Sequence, residues 1–253
     1  MTPPSQRAFF IVSALLFFAS AALTMLWCTP APAMPACAAH AAATPHDLSS
    51  QGWPGAIASF VGMWTVMMVA MMLPSLVPML RRYREAMART GETRLGRLTT
   101  VAGVGYFLVW TVVGMAAFPA GVALAAIEMP QTAAQAVPIA RGAIVLIAGA
   151  LQFTAWKARR LACCQEAGRC IPLPPDAGTA LRHGMRLWLD CVRCCANLMA
   201  ILLVVGVMDL RAMTLVTVAI TAERLAPAGQ RGARVVGALV IAAAVSAIAP
   251  YVF

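Results

Sequence analysis

The chain predicts an all-α fold, a polytopic transmembrane helical bundle of about seven spans. Three observations carry that expectation. Of the 253 residues, 61% are hydrophobic and only 11% charged, whereas a soluble domain carries about a quarter charged residues. The apolar residues fall in runs close to the roughly 20 residues that one bilayer crossing needs. The basic residues collect in alternate connecting segments, as the positive-inside rule requires. The same composition excludes a disordered chain, which needs low hydrophobicity and high charge.

The spans follow in order. Span one, Phe9 to Trp27, comes after Arg7 and is longer than the core of a signal peptide, although small residues at Ala33, Ala36 and Ala38 offer a cleavage alternative. The segment from Thr29 to Gly52 is rich in Ala and Pro and suits a mobile outer loop. Beside or within that loop, Cys28 and Cys37 could form a disulfide, and His40 and His46 could collect metal. Span two runs from Trp53 to Leu80, span three from Leu98 to Ile127, and a shorter span four from Ile139 to Trp156. Span five runs from Leu187 to Met208, a short span six from Ala212 to Ala222, and span seven from Val235 to Phe253. Two parts result: residues 1–52, a first helix with its outer loop, and residues 53–253, a six-helix metal-binding membrane domain.

The net charge of +10 has a topogenic reading. Sixteen of the 19 Lys and Arg residues fall on one side of the seven spans, leaving Arg141, Arg193 and Arg211 elsewhere. This predicts a multi-pass membrane protein with its N-terminus inside and its C-terminus outside. The basic loops suit anionic lipid headgroups. No basic stripe with interleaved aromatics points to nucleic acid. Dinucleotide, Walker and zinc-protease motifs are absent from the sequence. Gly103 and Gly105 in span three read as sites of close helix packing.

Polar groups inside a span are costly and mark function. Span five contains Asp190, Cys191, Arg193, Cys194, Cys195 and Asn197. At 3.6 residues per turn, Cys191, Cys194 and Cys195 share a helical face, with His183 two turns earlier. Small packing residues are the plainer alternative for buried cysteines. Asp190 and Arg193 could pair, and Asn197 could bond a neighbouring helix. In span two, Met63, Met67 and Met71 recur every four residues, with Met68 and Met72 on an adjacent face. Thioether sulfur is a neutral, soft ligand suited to Cu(I), and Met is also an ordinary packing residue. Pro74 and Pro78 are expected to weaken or kink the inner end of that helix. A Cys-and-Met set favours Cu(I) over oxygen-seeking cations, with zinc on thiolates an alternative. Cys163, Cys164 and Cys170 form a weaker cluster in an inner loop. Glu223 reads either as an interfacial charge paired with Arg224 or as a carboxylate behind a metal site.

Several motifs together resemble the predicted metal-binding integral membrane proteins, also described as copper chaperones for bacterial tyrosinase-type polyphenol oxidases. They are Met67-Met68-Val69-Ala70-Met71-Met72-Leu73-Pro74-Ser75 with Pro78-Met79, Gln152-Phe153-Thr154 with Lys157, and Arg182-His183-Gly184. Cys191 with Cys194-Cys195, Gly206-Val207-Met208 and Glu223-Arg224 before Pro227 complete the set, over roughly residues 53–245. Three departures stand out: Ala196 in place of an aromatic, Asp209 in place of Asn, and no cysteine beside Arg160.

The leading expectation is a non-enzymatic membrane protein that binds Cu(I) and delivers it to a copper-dependent oxidase or a small metal carrier. Cys191, Cys194 and Cys195 would be the principal ligands, with Met67, Met68, Met71 and Met72 as weaker sites and His183 at the entry. Asp190, Asn197 and Glu223 would stand behind them. The alternatives are a metal permease, a thiol–disulfide redox protein, and a structural subunit without a ligand.

Overall fold

The computed structural model describes residues 3–28, 45–89, 91–126, 136–166, 174, 176–205, 209–225 and 229–252. Cys37, His40, Cys170 and the stretch 206–208 lie outside the described residues, as do the side chains of Cys28, His46, Cys163 and Cys164.

All regular structure among the described residues is helical. The helices are α1 (Pro3–Cys28), α2 (Pro45–Arg89), α3 (Leu95–Ala126), α4 (Ala136–Leu151), α5 (Ala155–Glu166), α6 (Ala177–Val205), α7 (Leu210–Leu225) and α8 (Gly229–Val252). By length and composition, the segments Ser5–Trp27, Gly52–Arg89, Leu95–Pro119 and Ala177–Val205 can each cross a membrane. A fifth crossing is available if Ile139–Leu151 and Ala155–Ala162 count as one span bent by 63°.

Local chemistry sets the helix ends. Gly52 interrupts α2 with φ 70, a conformation that costs only glycine nothing. Helical backbone then runs through Pro74 and Pro78 to Arg89. Near the first of these prolines, Ser75 Oγ donates to the Met72 carbonyl at 2.9 Å. Asp176 caps α6 by accepting from Thr179 N at 2.8 Å and from Thr179 Oγ1 at 2.6 Å. Asp209 caps α7 through Arg211 N and Ala212 N at 2.8 and 3.0 Å. Asp and Asn are both strong caps, so Asp209 preserves the local function of the Asn it replaces in the resemblance.

The fourth span, expected as one helix from Ile139 to Trp156, is broken. Gln152, Phe153 and Thr154 close three-residue turns onto Gly149, Ala150 and Leu151. Thr154 Oγ1 then accepts from Lys157 N at 3.2 Å and starts α5. An N-cap hydroxyl bonding the third helical N–H is what redirects the chain here.

The chain forms two compact units, Met1–Ala126 with Ala167–Leu189, and Ile127–Glu166 with Asp190–Phe253. In the first, α2 packs against α1 and α3. Trp64 Nε1 donates to the Trp110 carbonyl at 2.9 Å, and Thr65 and Thr111 hydroxyls meet at 3.1 Å. Gly105 and Gly184 place α3 and the first half of α6 backbone to backbone, against the Leu181 and Ala102 carbonyls. Gly105 therefore serves close packing as its sequence setting suggests, whereas Gly103 stands open, with Leu80 Cδ1 3.9 Å from the place of a Cβ. In the second unit, α8 packs on α4 and α7. Gly149 and Gly237 allow that approach, since a Cβ on Gly149 would fall 2.8 Å from Ile241 and one on Gly237 2.8 Å from Gln152.

Candidate metal centre

The second unit builds its polar interior on the last part of α6. Cys191 and Cys195 are thiols four residues apart, one turn of the helix, with their sulfurs 3.9 Å apart and fully buried. A metal bonded at about 2.3 Å to each sulfur spans such a gap. Arg224 of α7 donates from Nη1 to Cys191 Sγ at 3.1 Å. Its guanidinium supplies positive charge where a thiolate would need it.

Cys194 differs from this pair. It is disulfide-bonded, and its Sγ lies 3.3 Å from the Arg160 carbonyl of α5. Among the described residues no three Cys, His, Asp or Glu side chains converge as a metal-sized group.

Beside the cysteines lies a buried ionic network. Lys157 of α5 is 0% exposed. Its ammonium donates to the Cys194 carbonyl at 2.6 Å and to Asn197 Oδ1 at 3.2 Å, and lies 2.8 Å from Glu223 Oε2. These partners use all three donors of an ammonium group. Glu223 accepts from Gln152 Nε2 at 2.7 Å on its other oxygen. Asn197 Nδ2 reaches the Ala148 carbonyl at 3.4 Å. The network ties α4, α5, α6 and α7 together around the turn that bears Cys194.

Glu223 is thus not an interfacial charge paired with Arg224. It is buried against Lys157 and Gln152, and Arg224 faces Cys191 instead. Neighbours one residue apart on a helix point in different directions. Asp190 pairs with Arg193 at 3.5 Å on a partly exposed face of α6.

The remaining predicted residues belong to the first unit. Met67, Met68, Met71 and Met72 are buried in α2, as is Met63. His183 stacks on Tyr83 with ring centres 4.8 Å apart. In the sequence Lys157 stands out only as a basic loop residue and as part of the Gln152-Phe153-Thr154 motif, not as a member of the site. Its signal was available, because Lys157 is the sole lysine and every other basic residue of the Lys and Arg class is arginine.

No curated protein and no solved structure matches the chain. The family model described as "PpoB2: Copper chaperone" matches residues 61–247. That match takes in the methionine stripe, the broken α4–α5 segment, the cysteine turn and the Lys157–Glu223 pair, and the chain belongs to the PpoB2 copper chaperone family.

Proposed function

We propose that the chain is an integral membrane protein that holds Cu(I) on the Cys191–Cys195 pair and hands it to a copper-dependent client. The observation that carries this reading is the pair of buried thiols 3.9 Å apart beside Arg224. Soft sulfur ligands select Cu(I) over hard cations. Two buried sulfurs shield the ion from water, and few ligands let it leave again. Cys194, once reduced, adds a third sulfur on the same face. Met67, Met68, Met71 and Met72 offer weaker thioether sites, with His183 as an entry ligand.

The chain's residues act as a holder rather than as catalysts, in keeping with the accessory role that the copper chaperone family suggests. Lys157 and Glu223 fix the turn of α6 that presents the thiols, and Arg224 balances thiolate charge. The client is read as an oxidase of the polyphenol oxidase type or a small carrier. The setting is read as seven spans in a bacterial inner membrane, N-terminus inside and C-terminus outside. Four apolar helices and a fifth bent segment support a membrane setting, and the one-sided distribution of the basic residues along the sequence supports the orientation.

The test is competition for Cu(I) between the purified, reduced protein and a chromophoric chelator. One ion should be retained, and C191S with C195S should release it to the chelator. Unchanged Cu(I) retention in the double variant, or tighter binding of zinc than of Cu(I), overturns the assignment.

A further inference from the structure

The first unit contains a cavity of about 1040 Å³ that copper binding does not use, walled by α1, α2 and α3. Most of its length is apolar, along Val12, Leu16, Leu73 and Val104. One end is polar and holds Arg84. Arg84 is only 5% exposed, with its guanidinium 4.9 Å above the Phe9 ring and Nη2 donating to the Ser5 carbonyl at 3.2 Å. Its Nε is buried and has no hydrogen-bond partner among the described residues. No carboxylate among the described residues forms an ion pair with it. A buried cation left in this state is costly, and an orphaned N–H asks for an acceptor.

An anion entering from the cavity gives the guanidinium the counter-charge it lacks. The first turns of α1 and α3 line the same end, at Ser5 and Leu95, and helix N-termini favour negative charge. Glu92 also lines that end and opposes an anion, although its Oε1 is engaged by Arg94 N at 2.7 Å. The apolar part is long enough for a chain. From Ser5 to Leu16, α1 rises about 16 Å, close to one leaflet, half of a hydrocarbon core of about 30 Å. The absent side chain of Gly103 keeps the groove open.

We propose that this groove holds one anionic phospholipid, its phosphate on Arg84 and an acyl chain along α1 and α3. The inference rests on the membrane setting proposed above and not on copper binding. It is tested by native mass spectrometry of the purified full chain offered phosphatidylglycerol or phosphatidylcholine. The wild-type protein should retain the anionic lipid about tenfold better, the lower end of what a hydrogen bond to a charged group contributes. R84Q should abolish the preference, while R97Q, at an exposed position, should keep it. G103L should fill the groove and lower retention of both lipids. Equal retention of the two lipids by the wild type, or loss of preference in R97Q as large as in R84Q, overturns the proposal. If R84Q does not fold, G103L decides, and unchanged retention there overturns it. Failure of the membrane setting would show separately, as release of the chain from membranes by an alkaline carbonate wash.

Discussion

Lys157 Nζ sits 2.8 Å from Glu223 Oε2 with both side chains shielded from solvent, on helices that flank the cysteine turn. Removing one member of a buried ion pair leaves the other charged and unmatched, at a cost of about 3–5 kcal/mol. K157M and E223L should each lower stability by that order in detergent unfolding. The double variant K157M/E223L should recover part of the loss, because both charges are then gone. A double variant as unstable as the sum of the singles would mean that the two do not act as a pair.

Arg224 donates to Cys191 Sγ at 3.1 Å without belonging to the predicted ligand set. Partners that orient and neutralise a metal ligand typically contribute 10–100-fold in affinity. R224Q should therefore weaken Cu(I) retention by about that factor, with the secondary structure unchanged by circular dichroism. R224K should restore part of it.

Gly184 meets the Ala102 carbonyl with no room for a side chain. G184A should push α6 from α3 and destabilise by about 1–3 kcal/mol, the range for overpacking. Gly62 lies within a helix with open space where a Cβ would sit, so G62A should be neutral or stabilising by up to about 1 kcal/mol. Thermal unfolding of the two variants, side by side, separates packing from helix propensity.

Asp176 is exposed, and the side-chain and backbone hydrogen bonds from Thr179 hold its carboxyl below the usual carboxylate range. A carboxyl with a lowered folded-state pKa contributes stability that is present above its unfolded value, about 3.9. That contribution disappears as the pH falls through the lower folded value. Unfolding of the wild type should thus show an acid-sensitive component below about pH 4 that D176N lacks, read as the difference between their unfolding curves against pH.

The parts of the fold that repeat along the chain were legible. Apolar runs mark α1, α2, α3 and α6, and a spacing of four residues puts Cys191 and Cys195 on one face. What depends on a single capping or long-range contact was not. The break after Leu151 turns on the Thr154 hydroxyl reaching Lys157 N, which an apolar window averages away. The partner of Glu223 lies 66 residues earlier, at Lys157, whereas sequence proximity suggested Arg224. Pro74 and Pro78 lie inside α2, and helical backbone continues past both to Arg89, since a proline removes one backbone hydrogen bond while neighbouring turns can stay helical. The contrast between one lysine and 18 arginines was the available clue to the buried network, since lysine is a compact ammonium and arginine a planar fork.

That contrast gives the protein a built-in reporter. With Lys157 as the only lysine side chain and fully buried, amine-acylating reagents have no other side-chain target. Acylation at Lys157 would therefore time the opening of the interior next to the thiols. A change in its labelling rate when copper is loaded or withdrawn would follow the proposed holder directly, with no dye or engineered residue.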